Sequence, residues 1–222
     1  MERIIAVKEW SVPMRINHWS MAITIFILIG TGFYIADPFT IYAGETGTKF
    51  FMGDVRFVHI LFGVFLLFLL IWRLYLAFFS RFHADWTDFL AWTDWKCLVE
   101  QIKFYLLIRK DAPEHKCLYG PIQSVSYAML LLMVFVIVVT GLILMGAGYH
   151  AGLTALAYTV LKPVENLMGG LATVRYIHHV LTWFFILFIV VHVYMAFWYD
   201  AVLKQGTMSS MIGGRLFERV KE

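Results

Sequence analysis

Apolar positions in this chain neither alternate, as in a half-buried strand, nor form a narrow helical stripe; they run on. Four such stretches, at about 16–36, 55–79, 119–145 and 173–201, hold few charges. A hydrocarbon core of about 30 Å is crossed by about 20 helical residues rising about 1.5 Å each, so every stretch is long enough to span a bilayer. Between the second and third, Trp86, Leu90, Trp92, Trp95, Leu98, Ile102, Tyr105 and Leu106 are interleaved with Asp88, Asp94, Lys96, Glu100 and Lys103. That pattern predicts a helix over about 86–108 lying among the lipid headgroups with its aromatic face in lipid. The expected architecture is an all-α integral membrane protein: a four-transmembrane-helix bundle, one membrane domain over 1–222, with an interfacial amphipathic helix between helices 2 and 3. The first stretch is retained as a span rather than a cleaved leader. It is long, lacks a small-x-small exit, and is entered through Arg15-Ile16-Asn17-His18-Trp19.

Composition sharpens this picture. The chain is 61% hydrophobic and 15% charged, against roughly 45–50% and 25% in soluble domains, which excludes a water-soluble globule, disorder, collagen and coiled coil. The net charge of +3 is small and its Lys and Arg are dispersed, so no nucleic-acid surface is expected. Cys97 and Cys117 form no Cys-x-x-Cys motif, which supports neither covalent haem attachment nor a thiolate zinc site. Any metal is then held by histidine.

Charge also sets orientation, because Lys and Arg accumulate in short cytoplasmic loops. All but four of the 18 Lys and Arg fall on one side of the four spans, the exceptions being Lys49, Arg56, Lys162 and Arg175. Both termini are therefore expected in the cytoplasm, and the loops 37–54 and 147–172 on the outer face.

Ionisable residues inside a bilayer are costly and mark function, which makes the histidines the most informative residues. His18 enters helix 1 and His192 leaves helix 4 at an inner level; His59 and His178 share an outer one. The fourteen-residue step from His178 to His192 is a rise of about 21 Å and, at about 100° per residue, about four turns less 40°, so both rings face one way. His179 is out of phase and points elsewhere. Two planar cofactors stacked along one bundle, each clamped by histidines from two helices, is what bis-histidine haem b requires. Arg15, Arg56 and Arg175 each precede a histidine by three residues, on the same face and one turn nearer water, where a haem propionate needs a cation. Gly63, four residues after His59, leaves room for a porphyrin beside the helix. Gly30, Gly32, Gly141 and Gly146 are read as helix-packing positions, and His83 and His150 as loop residues.

The sequences Arg15-Ile16-Asn17-His18-Trp19 and Arg175-Tyr176-Ile177-His178-His179-Val180-Leu181-Thr182-Trp183, the latter followed by His192, resemble the two signatures of the cytochrome b subunit of membrane-bound nickel-iron (uptake) hydrogenases. The likeness covers nearly the whole chain. It implies four helices holding two haem b groups in the bacterial inner membrane. It also implies a hydrogenase on the periplasmic face, with an iron-sulfur small subunit and a nickel-iron large subunit, and electrons delivered to menaquinone or ubiquinone. The implied ligands are His18 and His192 for the inner haem and His59 and His178 for the outer. His115, Tyr194 and Met195 are the residues expected near the quinone. No hydrogen is activated on such a chain and no catalytic residue is expected.

Two rivals remain at this point. The related cytochrome b subunits of formate dehydrogenase and thiosulfate reductase share the four-helix, two-haem design. A transporter or assembly protein using intramembrane histidines as a proton relay would hold no haem.

Overall fold

The computed structural model describes residues 2–39, 50–80, 95–108 and 120–221. Along them run β1 (Glu2–Lys8), α1 (Val12–Ala36), α2 (Phe51–Phe79), α3 (Trp95–Tyr105), α4 (Pro121–Gly148), α5 (Gly152–Leu167), α6 (Leu171–Leu203), α7 (Thr207–Gly213) and β2 (Arg215–Lys221). The four long helices α1, α2, α4 and α6 are the expected spans, each apolar and long enough to cross a membrane. Between 6% and 28% of each apolar window is buried within the chain, so lipid must solvate the rest. Ile23, Phe26, Phe68, Leu132, Phe135, Leu187 and Val190 are among the side chains so exposed.

The starts of α1 and α4 are capped. The Ser11 hydroxyl accepts the Met14 N–H at 3.3 Å, and Pro13 is tolerated in the first turn, where its missing donor has no partner to lose. At the start of α4, Pro121 opens the helix and the Gly120 N–H donates to Gln123 Oε1 at 3.1 Å. A second cap comes from α3: the buried Gln101 accepts the Ile122 N–H at 2.9 Å. A side chain at Gly120 would displace that amide, and with it the cap.

The amphipathic helix α3 covers the second half of the predicted interfacial segment; residues 86–94 lie outside the described residues. Cys97, Gln101 and Phe104 make its buried face, at helical spacing, while Trp95 and Ile102 are exposed.

Two features were not expected from the apolar pattern. The connection between the third and fourth spans contains a helix, α5. Its exposed Leu153, Leu156, Val160 and Leu167 recur at helical intervals, as on an interfacial helix. It ends in Met168-Gly169-Gly170, where both glycines have positive φ and donate back to Asn166 and Glu165 carbonyls. That turn delivers the chain into α6. On α5, Lys162 donates to the otherwise buried Glu165 at 2.8 Å, a hydrogen bond that raises the Lys162 ammonium above its ordinary value.

The second feature joins the chain ends. β1 and β2 pair antiparallel, Glu2 opposite Lys221 through Lys8 opposite Arg215. The Glu9 N–H continues the ribbon by donating to the Gly214 carbonyl at 2.9 Å, and Arg15 of α1 donates to the Ile212 carbonyl of α7.

The chain divides into two compact units. One comprises Met1–His18, Trp72–Leu132 and Phe185–Glu222; the other comprises Trp19–Ile71 and Met133–Phe184.

Candidate functional site

His59 on α2 and His178 on α6 belong to the second unit. Their ring centres are 6.3 Å apart and their planes 69° from parallel. Each ring is held by a threonine from another span. Thr31 Oγ1 on α1 lies 2.8 Å from His59 Nδ1, and Thr140 Oγ1 on α4 lies 2.8 Å from His178 Nδ1. A threonine hydroxyl has one proton, and each hydroxyl also faces a backbone carbonyl four residues earlier: Ile27 at 2.7 Å for Thr31 and Val136 at 2.8 Å for Thr140. A carbonyl can only accept. The hydroxyl proton therefore goes to the carbonyl and the hydroxyl oxygen accepts from the imidazole, which puts the ring proton on Nδ1 and leaves the Nε2 lone pair to bind a metal.

A glycine follows each threonine. A methyl group at Gly32 would sit 3.4 Å from His59 Cε1, and one at Gly141 would sit 3.4 Å from His178 Cε1. Both glycines bring their helix backbone close to an imidazole edge at Cε1, and at Gly63 a methyl would meet nothing within 4 Å. These Thr-Gly pairs were missed in the sequence, where Gly32 and Gly141 looked like helix-packing residues. Their recurrence in two of the four spans was the available signal.

His18 on α1 and His192 on α6 belong to the first unit. Their ring centres are also 6.3 Å apart, with planes 47° from parallel. Phe188, one turn before His192, stacks on it at 5.5 Å and 10°. In the same unit Phe104 of α3 packs edge-on against Tyr105 and Tyr199. Burial, with Tyr199 and Tyr127 close by, pushes the Tyr105 hydroxyl up and keeps it protonated.

Two imidazoles trans on one metal, each with a bond of about 2 Å and a further distance of about 1.1 Å to the ring centre, place their centres about 6 Å apart. Both pairs meet that distance. Among the described residues no three His, Cys, Asp or Glu converge to hold a metal ion. Two histidines alone suit a metal whose remaining positions are already filled by a macrocycle, which is the situation of haem iron. The residues present fit two such groups.

Around these pairs, Arg56 and Arg175 are exposed, and each lies one turn toward the helix start from its histidine. Arg15 Nε is buried with no hydrogen-bond partner among the described residues, an orphaned donor one turn from His18. His179 turns away from the His59–His178 pair, edge-on to Phe33 at 5.8 Å. His150 packs on Tyr158 at 5.0 Å. Tyr194 is exposed and Met195 half-buried, and no ring contact or hydrogen bond among the described residues joins either to His18 or His192. His115 and His83 lie outside the described residues.

Residues 9–214 match the family model described as prokaryotic cytochrome b561. The chain is 30% identical over 218 residues to a probable Ni/Fe-hydrogenase B-type cytochrome subunit of Rhizobium leguminosarum bv. viciae, covering 96% of this chain and 90% of that protein. It is 31% identical over 220 residues to the protein of that name from Azotobacter vinelandii, with the same coverage. To the probable Ni/Fe-hydrogenase 1 B-type cytochrome subunit of Escherichia coli K12 it is 26% identical over 217 residues, 96% of this chain and 92% of that protein.

Proposed function

The chain belongs to the prokaryotic cytochrome b561 family, and on that premise we propose that it is the di-haem anchor passing electrons from a periplasmic nickel-iron hydrogenase to the quinone pool. As a b-type cytochrome with four apolar helices it is a multi-pass membrane protein that holds haem b without a covalent bond. The finer reading rests on one observation above the others: two histidine pairs, each on two spans, each with ring centres 6.3 Å apart. Haem b supplies a one-electron iron couple at each pair. The chain's own residues do the rest.

His59 and His178 hold the outer group, and His18 and His192 the inner. With two imidazoles committed to each group, it would serve electron transfer rather than activation of oxygen or substrate. Arg56 and Arg175 lie where outer propionates need cations, and Arg15 where an inner one does. The group held by His59 and His178 would take up electrons and the group held by His18 and His192 would pass them on, with His115, Tyr194 and Met195 the candidate quinone neighbours. Hydrogen chemistry belongs to the partner, an iron-sulfur small subunit and a nickel-iron large subunit on the periplasmic face of the inner membrane. Both termini are cytoplasmic in this arrangement, in keeping with the Lys and Arg asymmetry and with the pairing of β1 and β2.

The relatives' names, each that of a hydrogenase cytochrome subunit, favour this partner over a formate dehydrogenase or thiosulfate reductase. Purification from the native membrane separates these readings. Expected are two haem b per chain, extractable by acidic organic solvent, with nickel in the co-purifying subunit. One haem overturns the pairing, and molybdenum or tungsten in place of nickel overturns the partner.

A further inference from the structure

We propose that Thr31 and Thr140 are positioning residues of the outer haem, which fix the ligating nitrogen of His59 and His178 and hold that haem at a lower potential than unsupported imidazoles would. The inference rests on the ligand assignment proposed above, and names which residues regulate that site.

Both threonines are already committed by their own helices. Thr140 is fully buried, and its hydroxyl lies 2.8 Å from the Val136 carbonyl and 3.0 Å from that of Ile137. Thr31 has the corresponding Ile27 and Leu28 carbonyls at 2.7 and 3.3 Å. A free hydroxyl rotates, and could donate to a ring nitrogen or accept from it; these cannot donate without abandoning the carbonyl. Each is therefore a fixed acceptor aimed at Nδ1. In the apolar interior of a membrane protein the ring N–H has no water to fall back on, so the Nδ1–H tautomer is held and Nε2 is presented as the lone pair.

An acceptor on the far nitrogen has an electronic effect as well. It draws the Nδ1 proton outward and raises the basicity of Nε2. A more basic ligand stabilises ferric iron over ferrous iron and lowers the potential. The two spans that carry these threonines supply no ligand to the outer pair, so all four spans contribute to it: α2 and α6 with histidines, α1 and α4 with Thr-Gly. The inner pair is built differently, with Phe188 stacked on His192 and no threonine hydrogen bond to that ring among the described residues.

The test is spectroelectrochemical titration of the purified holo-complex carrying Thr31→Val or Thr140→Val, which keep side-chain volume and remove the acceptor, beside Thr31→Ser and Thr140→Ser, which keep the hydroxyl. The Val variants are expected to shift the outer haem's potential upward with the inner one unmoved, or to lower outer-haem affinity by about 10–100-fold, as loss of an outer-shell partner does. The Ser variants are expected to restore potential and haem content. Val variants that keep the outer haem at its parental potential overturn the proposal. So do Ser variants that fail as the Val variants do, since shape rather than the hydroxyl would then matter. His59→Ala and His178→Ala run in parallel. If either keeps its outer haem, the ligand assignment falls and takes this inference with it; if both lose it while Val variants are unchanged, only the role of the threonines falls.

Discussion

The His18 and His192 rings stand 6.3 Å apart, the separation also found between His59 and His178. Chance packing of four aromatic side chains has no reason to produce one distance twice. A common occupant of fixed size does, because a metal bonded to both rings sets their separation through two bond lengths. The two pairs differ in ring angle and in their neighbours, which is where two chemically identical groups would acquire different potentials.

Replacement of either outer ligand, His59→Ala or His178→Ala, should halve the haem content by emptying the outer site. His18→Ala or His192→Ala should empty the inner site instead. Haem per chain, measured as the pyridine complex beside the reduced-minus-oxidised spectrum, checks this. Unaltered content in any one variant refutes that residue as a ligand.

His179 is the internal control. It adjoins His178 yet packs edge-on to Phe33, so His179→Ala should retain both haems with only the modest cost of a lost aromatic contact, about 1 kcal/mol. An empty outer site in this variant, with haem retained in His178→Ala, would exchange their roles.

Glycine in a helix costs about 1 kcal/mol relative to alanine, so Gly32 and Gly141 need a reason. Their empty side-chain positions lie 3.4 Å from the two outer imidazole edges. Gly32→Val or Gly141→Val should exclude the outer haem while leaving the inner one bound. Gly30→Val, where a methyl would meet nothing within 4 Å, should keep both. Equal haem content in all three would reduce these glycines to helix packing.

The spans were legible because the hydrocarbon core dictates their length, and the pairing of His18 with His192 and of His59 with His178 because helix directions follow from the spans. The ribbon was not. Its pairing of Glu2 with Lys221 joins the two ends of the chain, and seven-residue segments rich in charge carry little local strand signal. α5 was hidden by Pro163 and by glycines at both ends of a segment too short to span. Thr31 and Thr140 were passed over for another reason: threonine in an apolar helix usually bonds only its own backbone, and although the repeated Thr-Gly marks them, the histidine that each meets 28 or 38 residues away is set by packing.

Changing Arg56 or Arg175 to Gln should lower the outer haem's potential, since a nearby positive charge favours the reduced form, and leave the inner one in place. Arg15→Gln should act on the inner haem. It also removes the bond to the Ile212 carbonyl, so thermal stability is to be followed beside the potential. Absence of any selective shift would make these arginines lipid anchors.

The last expectation concerns direction. Electrons that enter at the level of His59 and His178 and leave at that of His18 and His192 carry charge inward across the bilayer. Protons from hydrogen oxidation are released outside, and those joining the reduced quinone are drawn from the cytoplasm, with His115 the candidate donor. Turnover should then build a potential, negative inside. Moving one charge through 100 mV takes about 2.3 kcal/mol, so part of the redox drop from hydrogen to quinone is conserved. The complex reconstituted with menaquinone in sealed vesicles, oriented with its hydrogenase outside, should give a voltage-sensitive dye response on addition of hydrogen, abolished by an uncoupler. Quinone reduction without that response would place the quinone on the outer side and take the His18 and His192 pair out of the productive path.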